Sequence, residues 1–175
     1  MNKKIIIYIL IILVITVGVT AYLNRGNIEE KEKAQENALL TIQRNDEDVE
    51  TVDFSFIQKR EENTFNKDLD TSDSGPVEHS FTGVPLKNII NEVGLNLENF
   101  NQVIIKSVDG YTVALTVEEV AMGDNVYLVY KSDGNFLKSK KEGGTGPYRI
   151  VIKEDQFGQR WSKFVTEVNL KWKAK

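Results

Sequence analysis

The chain of 175 residues contains no cysteine, one histidine and only three prolines. Without cysteine it cannot form a disulfide, bind a metal through a thiolate, use a thiol in catalysis or carry a lipid on an N-terminal cysteine. The single histidine, His79, cannot build a zinc site of the usual His and Cys type, and carboxylates would have to complete one. We therefore predict no metal site and no catalytic residue, and we interpret His79 as a surface or satisfied histidine.

Basic residues are also in the minority. The sequence has 22 lysines and arginines against 26 acidic residues, which gives a net charge of −4. Binding to the phosphate backbone of a nucleic acid needs a positively charged surface. The charge balance therefore argues against a nucleic-acid partner.

A long run without charge occupies residues 5–23, which are mostly Ile, Val and Leu. As a helix, a run of this length spans about 28 Å, roughly the thickness of the hydrocarbon core of a bilayer. A cleaved signal peptide would have a shorter apolar region and a small-residue cleavage site, for which residues 19–21 (VTA) are a weak match. We predict an uncleaved single-pass anchor over residues 5–23, so the membrane is one expected partner.

The charges on either side of this run predict its orientation. Lys3 and Lys4 precede it, whereas a lone Arg25 is followed by an acidic pair. Basic residues favour the cytoplasmic side of a membrane. Residues 1–4 are therefore expected in the cytoplasm, and the C-terminal domain is expected outside the cell membrane.

Residues 24–50 are polar and dense in charge, which predicts a solvated stalk between the anchor and the domain. Leu39, Leu40 and Ile42 are too few to nucleate a core. A coiled coil would need several sustained heptads, and these are missing. The folded domain is accordingly expected over residues 51–175.

Within the expected domain, local patterns predict mainly strands. Val52, Phe54 and Phe56 alternate with polar residues, which is typical of a strand with one buried face. The Asp-Gly pair at 109–110 is typical of a tight hairpin turn. Further strands are expected at 64–69, 103–108, 111–115, 125–130, 148–153 and 166–172.

Two short helices are also expected. The first begins near Pro85 and carries an apolar stripe at helical spacing. This stripe consists of Leu86, Ile89, Ile90 and Val93. The second follows Thr116, whose hydroxyl can accept a hydrogen bond from the Glu119 amide while the Glu119 carboxylate accepts one from the Thr116 amide.

Two loops contain residues that could bind a ligand. Residues 70–76 (DTSDSGP) are predicted to be a loop of turn formers, whose hydroxyls either satisfy their own backbone or contact a ligand. Residues 143–147 (GGTGP) follow Lys138, Lys140 and Lys141, and bare backbone amides beside lysines can bind an anion. Because this run lacks the spacing of a P-loop or of a dinucleotide fingerprint, a plain flexible turn is the alternative.

Taken in this order, the motifs resemble the molybdopterin-binding domain of the sulfite oxidase family, particularly its small single-domain bacterial relatives. The resemblance covers residues 51–172. It rests on residues 81–87 (FTGVPLK), 107–111 (SVDGY), 133–134 (DG), 146–149 (GPYR), Gly158 and 163–164 (KF). Each motif is weak alone, but their order and spacing together are specific.

The resemblance implies an α+β fold of mixed β-sheets with a few short helices, here preceded by one N-terminal transmembrane helix. In the family's enzymes, molybdenum is held by the dithiolene of the pterin and by one protein cysteine, a soft ligand suited to the metal. This chain has no cysteine, and residues 71–76 stand in the loop that would present it. It also departs from the family at residues 153–154, where Lys-Glu replaces Pro-Gly, and at Phe164, which replaces Trp.

Arg149 and Lys163 match positions that face the cofactor region in the family. As cations beside an empty pocket they could bind a phosphate or a carboxylate; alternatively, Arg149 pairs with a loop carboxylate for structure alone. The residues that the resemblance assigns to this candidate pocket are Thr71, Ser72, Ser74, His79, Asp109, Tyr111, Arg149 and Lys163.

Three functions are compatible with these features. The first is a ligand-binding or accessory module that keeps the fold without ligating molybdenum, so that no cofactor is expected and the partner is a small anionic ligand or a protein. The second is a molybdopterin-dependent oxidoreductase in which a hydroxyl or carboxylate, such as Ser72, Asp73 or Ser74, replaces the cysteine. The third is a structural domain that contacts other proteins through its sheet edges.

Overall fold

The computed structural model describes residues 5–20, 37–71 and 75–172. Two units make up the chain, Met1–Lys33 and Ala34–Lys175. The first unit is helical where it is described, and the second contains all of the described strands.

The first unit contains helix α1, which covers residues 5–20. Its apolar side chains are exposed along the whole helix. No helix in the described ranges is both long and apolar enough to cross a membrane. Of the predicted anchor over residues 5–23, residues 21–23 lie outside these ranges, as do the predicted cytoplasmic residues 1–4.

The second unit contains two five-stranded sheets. Sheet A consists of β1 (Leu40–Arg44), β2 (Glu47–Val52), β5 (Phe100–Ser107), β6 (Thr112–Thr116) and β10 (Val165–Trp172), in the order β2-β1-β10-β5-β6. Sheet B consists of β3 (Asn63–Thr71), β4 (Gly75–Pro85), β7 (Val126–Ser132), β8 (Asn135–Phe136) and β9 (Arg149–Ile152), in the order β3-β4-β7-β8 with β9 also on β7. Sheet A is mixed, as expected, because β1 pairs with β10 in parallel and its other pairings are antiparallel. Sheet B is entirely antiparallel, so the expectation of mixed sheets holds for sheet A alone.

Short helices connect the strands. They are α2 (Phe54–Gln58), α3 (Leu86–Glu92), α4 (Val117–Ala121) and the 3₁₀ turns Leu97–Asn99, Lys140–Glu142 and Gly158–Arg160. The predicted capping box of α4 is confirmed, because the Glu119 amide donates to Thr116 Oγ1 at 3.2 Å and the Thr116 amide donates to Glu119 Oε2 at 2.8 Å. The helix predicted near Pro85 is confirmed as α3, whose buried residues are Leu86, Ile89 and Ile90.

The predicted stalk is wrong for residues 40–50, which form β1 and most of β2. Leu40 and Ile42 are fully buried in the core instead of exposed on a linker. The reason is a long-range pairing, since β1 lies parallel to β10 at the other end of the chain. A local sequence pattern does not reveal such a partner. Residues 24–36 lie outside the described ranges.

The predicted strand at Val52, Phe54 and Phe56 is also wrong beyond Val52. Asp53 caps helix α2, and its Oδ1 accepts a hydrogen bond from the Phe56 amide at 2.8 Å. Within the helix, Ile57 is the buried residue. An Asp at the start of a helix satisfies an amide that has no partner within the helix, and this local bond outweighs the strand-like alternation.

The closing strand β10 is confirmed, but the prediction that only one of its faces is buried is wrong. Asn169, expected to be exposed, is fully buried, and its side-chain Nδ2 donates to Asp46 Oδ1 at 2.7 Å. Trp172, expected to be buried, is exposed and stacks on Phe100. Asn169 is covered by the turn between β1 and β2, because the Asp46 amide also donates to Asn169 Oδ1 at 3.3 Å.

Candidate functional site

Arg149 occupies the first position of β9, where two chain segments meet. On one side β9 pairs with β7, with Arg149 opposite Val129. On the other side, the chain returns after the Gly158–Arg160 turn, and the Ile150 amide donates to the Ser162 carbonyl at 2.8 Å. The Arg149 side chain is therefore enclosed by the fold and is only 5% exposed.

Two aromatic rings lie against the guanidinium of Arg149. Its Cζ atom is 5.8 Å from the centre of the Phe81 ring and 5.7 Å from that of Trp161. The two rings meet edge to face, with their centres 5.9 Å apart. Cation–π contacts of this kind stabilise a charge that has left water.

The polar atoms of this cluster are nevertheless unsatisfied. Arg149 Nε and Trp161 Nε1 are both buried, and neither has a hydrogen-bond partner in the described part of the chain. Burial lowers the pKa of Arg149 to about 10. A buried charge without a partner costs free energy, and an anion that accepts hydrogen bonds would remove that cost. No carboxylate in the described part of the chain pairs with Arg149. Asp73 of the predicted loop lies outside that part, so the alternative that Arg149 pairs with a loop carboxylate stays a prediction.

A second pair of buried polar groups lies beside the cluster. Ser107 Oγ and Ser162 Oγ are 2.6 Å apart, and both side chains are fully buried. The pair links the end of β5 to the segment that follows Trp161. In this hydrogen bond one hydroxyl donates to the other, which links the two segments. Both hydroxyls therefore have a partner, in contrast to Arg149 Nε and Trp161 Nε1.

The Asp109-Gly110-Tyr111 turn contacts the same region from the other side. The Tyr111 hydroxyl donates to the Gln159 carbonyl at 2.7 Å, although the ring is half exposed. Asp109 Oδ1 accepts a hydrogen bond from the Tyr111 amide at 3.1 Å and so holds the turn itself. Tyr111 therefore reaches the turn that precedes Trp161, while Asp109 acts locally.

His79 contacts Phe81, which in turn contacts Arg149. Its ring centre is 5.9 Å from that of Phe81, and its Nδ1 is 2.7 Å from Asp133 Oδ2. The interpretation of a satisfied, partly exposed histidine is confirmed. The hydrogen bond from His79 is the main reason why the pKa of Asp133 lies below its usual value.

The structure does not place the remaining residues of the predicted pocket in contact with Arg149. Lys163 is exposed, two residues after Trp161. Thr71 ends β3 and pairs with Gly75, so the predicted loop over residues 70–76 is shorter than expected and its outer residues belong to a hairpin. Ser72, Asp73 and Ser74 lie outside the described residues. The assignment of all these residues to one pocket stays a prediction.

The glycine-rich run at 143–147 has a structural explanation. A Cβ atom on Gly144 would collide with the Lys138 carbonyl, and one on Gly146 would collide with Leu137. Gly143 has a positive φ of 74°. The close backbone approach needs glycine here, which favours the plain turn over an anion site.

Sequence reasoning missed Phe81 and Trp161 as site residues. Phe81 belongs to the motif at residues 81–87 but not to the candidate pocket, and Trp161 belongs to neither. The available signal was the position of Trp161, which stands two residues before Lys163. An aromatic residue so close to a cation expected near the pocket is a candidate for the pocket wall.

Comparison with known protein families shows to which family this chain belongs. The family model of the oxidoreductase molybdopterin binding domain matches residues 35–175. The chain belongs to this family. The resemblance noted in the sequence is thereby confirmed, and the match begins before β1, in agreement with a domain that includes both β1 and β2.

Among solved structures, this member of the molybdopterin-binding family is similar to the sulfane dehydrogenase SoxCD from Paracoccus pantotrophus. The TM-score is 0.64 at 19% sequence identity, and the match covers 78% of this chain. The chain spans only 38% of the length of that protein. At this identity the similarity establishes the fold alone. A search of curated proteins gives no match.

The residues present fit one part of a molybdopterin and not another. The unsatisfied donors of Arg149 and Trp161 fit a phosphate or another anionic group. In contrast, the sequence has no thiolate to ligate molybdenum. The described residues also contain no group of three or more His, Asp or Glu side chains that could hold a metal ion. The donor set thus suits the anionic, organic part of such a cofactor.

Proposed function

We propose that this protein is a ligand-binding member of the molybdopterin-binding family, which holds an anionic molecule at Arg149 without a protein thiolate on molybdenum. The observation that carries the proposal is the Arg149 guanidinium, which is buried between Phe81 and Trp161 and whose Nε has no hydrogen-bond partner among the described residues. A fold rarely keeps such a costly group without a role, and strongly perturbed charges cluster at functional sites.

The ligand class follows from the donors. An arginine and an indole N–H together suit an oxyanion, because its several acceptor atoms can bond to both. A pterin cofactor carries such a group, and when bound it would supply the redox chemistry of its metal. In that case Arg149 and Trp161 would hold its anionic part, and the stacking surface of Phe81 would line the site.

The location is part of the same proposal. We propose that residues 5–23 anchor the protein in the cell membrane, with residues 1–4 in the cytoplasm and the domain outside. The uncharged run and the lysines before it support this topology. The exposed apolar side chains of residues 5–20 also support it, since water is a poor solvent for such a surface.

The ligand is tested by isolating the full-length protein from a host that makes molybdopterin. Mass spectrometry identifies the released small molecules, and elemental analysis measures molybdenum. We expect an anionic molecule that is lost in Arg149→Met and retained in Arg44→Met, the control, which changes an exposed arginine at the end of β1. Retention of the molecule in Arg149→Met would contradict the proposal.

The same measurement decides between the functions. Molybdenum in stoichiometric amount would favour the oxidoreductase with a hydroxyl or carboxylate ligand, for which Ser72, Asp73 and Ser74 are the candidates. Absence of any ligand in the wild-type protein would favour the protein-interaction domain.

Topology is tested by cysteine labelling, because the chain has no cysteine of its own. Glu98 is exposed, so Glu98→Cys creates a unique accessible thiol in the domain. We expect a membrane-impermeant maleimide to label this variant in intact cells. Labelling only after the cells are lysed would contradict an outside domain.

A further inference from the structure

The segment of residues 156–161 is attached to the rest of the domain by side-chain contacts and not by backbone pairing with a described strand or helix. Before it, the Asp155 amide donates to the Ile152 carbonyl at 3.2 Å, and after it the strand-like pairing resumes at Ser162. Within the segment, the Trp161 amide donates to the Gly158 carbonyl at 3.1 Å. In the described part of the chain, no backbone–backbone hydrogen bond joins residues 156–161 to another strand or helix.

Side chains hold the segment instead. The Tyr111 hydroxyl donates to the Gln159 carbonyl at 2.7 Å. Arg160 Nη1 lies 2.8 Å from Glu119 Oε1, and its Nε donates to Asp155 Oδ2 at 3.1 Å. Tyr111 is half exposed and Arg160 is partly exposed, so water competes for each of these contacts.

The segment ends on the residue that covers Arg149. Trp161 is 3% exposed and Arg149 is 5% exposed, so the guanidinium is closed off from solvent. A ligand therefore reaches Arg149 only if part of its surroundings moves, and Trp161 is one of the two rings that lie on the guanidinium. The backbone of residues 156–161 is free of strand pairing, whereas Phe81, the other ring on Arg149, lies within the paired strand β4.

We propose that residues 156–161 form a cover over Arg149, which opens to admit an anion and is latched shut by Tyr111 and by the Arg160–Glu119 ion pair. The inference rests on the proposed function and adds its regulation. In the closed position, Trp161 Nε1 stays unsatisfied, so it can donate to the bound anion. The rate at which the anion enters and leaves then depends on how often the latch contacts break, in addition to the affinity of Arg149 for the anion.

The cover is tested in the full-length protein by quenching of tryptophan fluorescence with acrylamide. The chain has two tryptophans, so Trp172→Phe leaves Trp161 as the reporter. In this background, Tyr111→Phe removes the latch hydroxyl and keeps the ring. Its matched control is Tyr127→Phe, which removes a hydroxyl that donates to Asp124 instead.

A second variant breaks the other half of the latch. Glu119→Gln loses the charge that pairs with Arg160, while the amide oxygen can still accept the capping hydrogen bond from Thr116. Glu118→Gln is its control, an exposed residue in the same turn of α4.

Loss of one latch hydrogen bond should increase the fraction of open cover, and with it the quenching of Trp161, by roughly two- to tenfold. Both controls should quench like the parent. Unchanged quenching in Tyr111→Phe and Glu119→Gln, or an equal increase in the controls, would overturn the cover.

Inorganic phosphate, added to the same samples, separates this inference from the proposed function. If both hold, phosphate lowers quenching in the parent and does not in Arg149→Met. If the latch variants quench more but phosphate changes nothing and no bound anion is found in the isolated protein, the cover stands and the proposed function fails. If phosphate protects Trp161 but the latch variants behave like the parent, the site stands and the cover fails.

Discussion

The guanidinium of Arg149 lies 5.7 Å from the centre of the Trp161 ring, and both residues bury a nitrogen that has no hydrogen-bond partner in the described part of the chain. The two residues are in contact, and each buries a donor nitrogen that no described group accepts. A buried donor without an acceptor calls for an explanation, and one anion bound beside both residues would supply it. A structural arginine would donate its hydrogen bonds to groups of the protein, whereas a ligand-binding arginine keeps a donor for the ligand.

Replacement of Arg149 should stabilise the ligand-free protein. Arg149→Met removes a buried charge that has no carboxylate partner in residues 37–71 and 75–172, so we expect the free energy of unfolding to rise by about 1 to 3 kcal/mol. Arg60→Met is the control, because Arg60 Nη2 pairs with Glu92 at 2.8 Å, and this variant should lose stability. Chemical denaturation measures both. A loss of stability in Arg149→Met would identify Arg149 as a structural residue.

Strand β1 should be essential to the domain. Ile42 is fully buried, so Ile42→Ala should lower the free energy of unfolding by about 2 to 5 kcal/mol. Val49→Ala, an exposed change in the neighbouring β2, should stay within about 0.5 kcal/mol of the parent. A fragment of residues 51–175 should accordingly fail to give a cooperative unfolding transition, whereas residues 34–175 should give one. Cooperative folding of the shorter fragment would show that β1 is dispensable.

The contact between His79 and Asp133 should make stability depend on acid pH. It holds the pKa of Asp133 below the usual value of 3.8, so the carboxylate stabilises the fold above that value and loses its contribution as the pH falls through the lower, folded pKa. Asp133→Asn should therefore reduce the melting temperature at neutral pH, and the difference should narrow below pH 3.8. Asn also accepts the positive φ of 51° at this position, so the backbone is not strained.

The control for this experiment is Asp68→Asn, which changes an exposed carboxylate on β3. Its melting temperature should follow that of the parent from neutral to acid pH. A constant difference between Asp133→Asn and the parent across the whole range would contradict a role for the charge.

Gly83 should be irreplaceable because of its neighbours and not because of its backbone angles. A Cβ atom at this position would press on the Leu128 carbonyl and lie 2.7 Å from Val129 Cα, both of them backbone atoms of β7. Gly83→Ala should lower the free energy of unfolding by about 1 to 3 kcal/mol or more. In Gly123→Ala the new atom meets only the flexible end of Lys87, so the loss measured by chemical denaturation should be small. Equal losses in the two variants would contradict this account.

The sequence by itself determined the features that depend on neighbours along the chain. The Thr116–Glu119 capping box, the stripe of α3 and the Asp-Gly hairpins need residues only a few positions apart, so their patterns are legible without a fold. The order of the motifs was also sufficient to indicate the family. The missing cysteine is likewise a property of the sequence, and it excludes a protein thiolate on any metal.

Only the tertiary structure decided where distant residues meet. Leu40 and Ile42 were assigned to a stalk because their partner strand, β10, lies more than a hundred residues away. For the same reason Phe81 and Trp161 were not recognised, since they contact Arg149 from two separate elements. Burial and hydrogen-bond satisfaction are properties of the packed chain, and they show that Arg149 is enclosed and that no described residue accepts a hydrogen bond from its Nε. The family resemblance predicts a pocket that includes Arg149, whereas the contact of Phe81 and Trp161 with its guanidinium follows from packing alone.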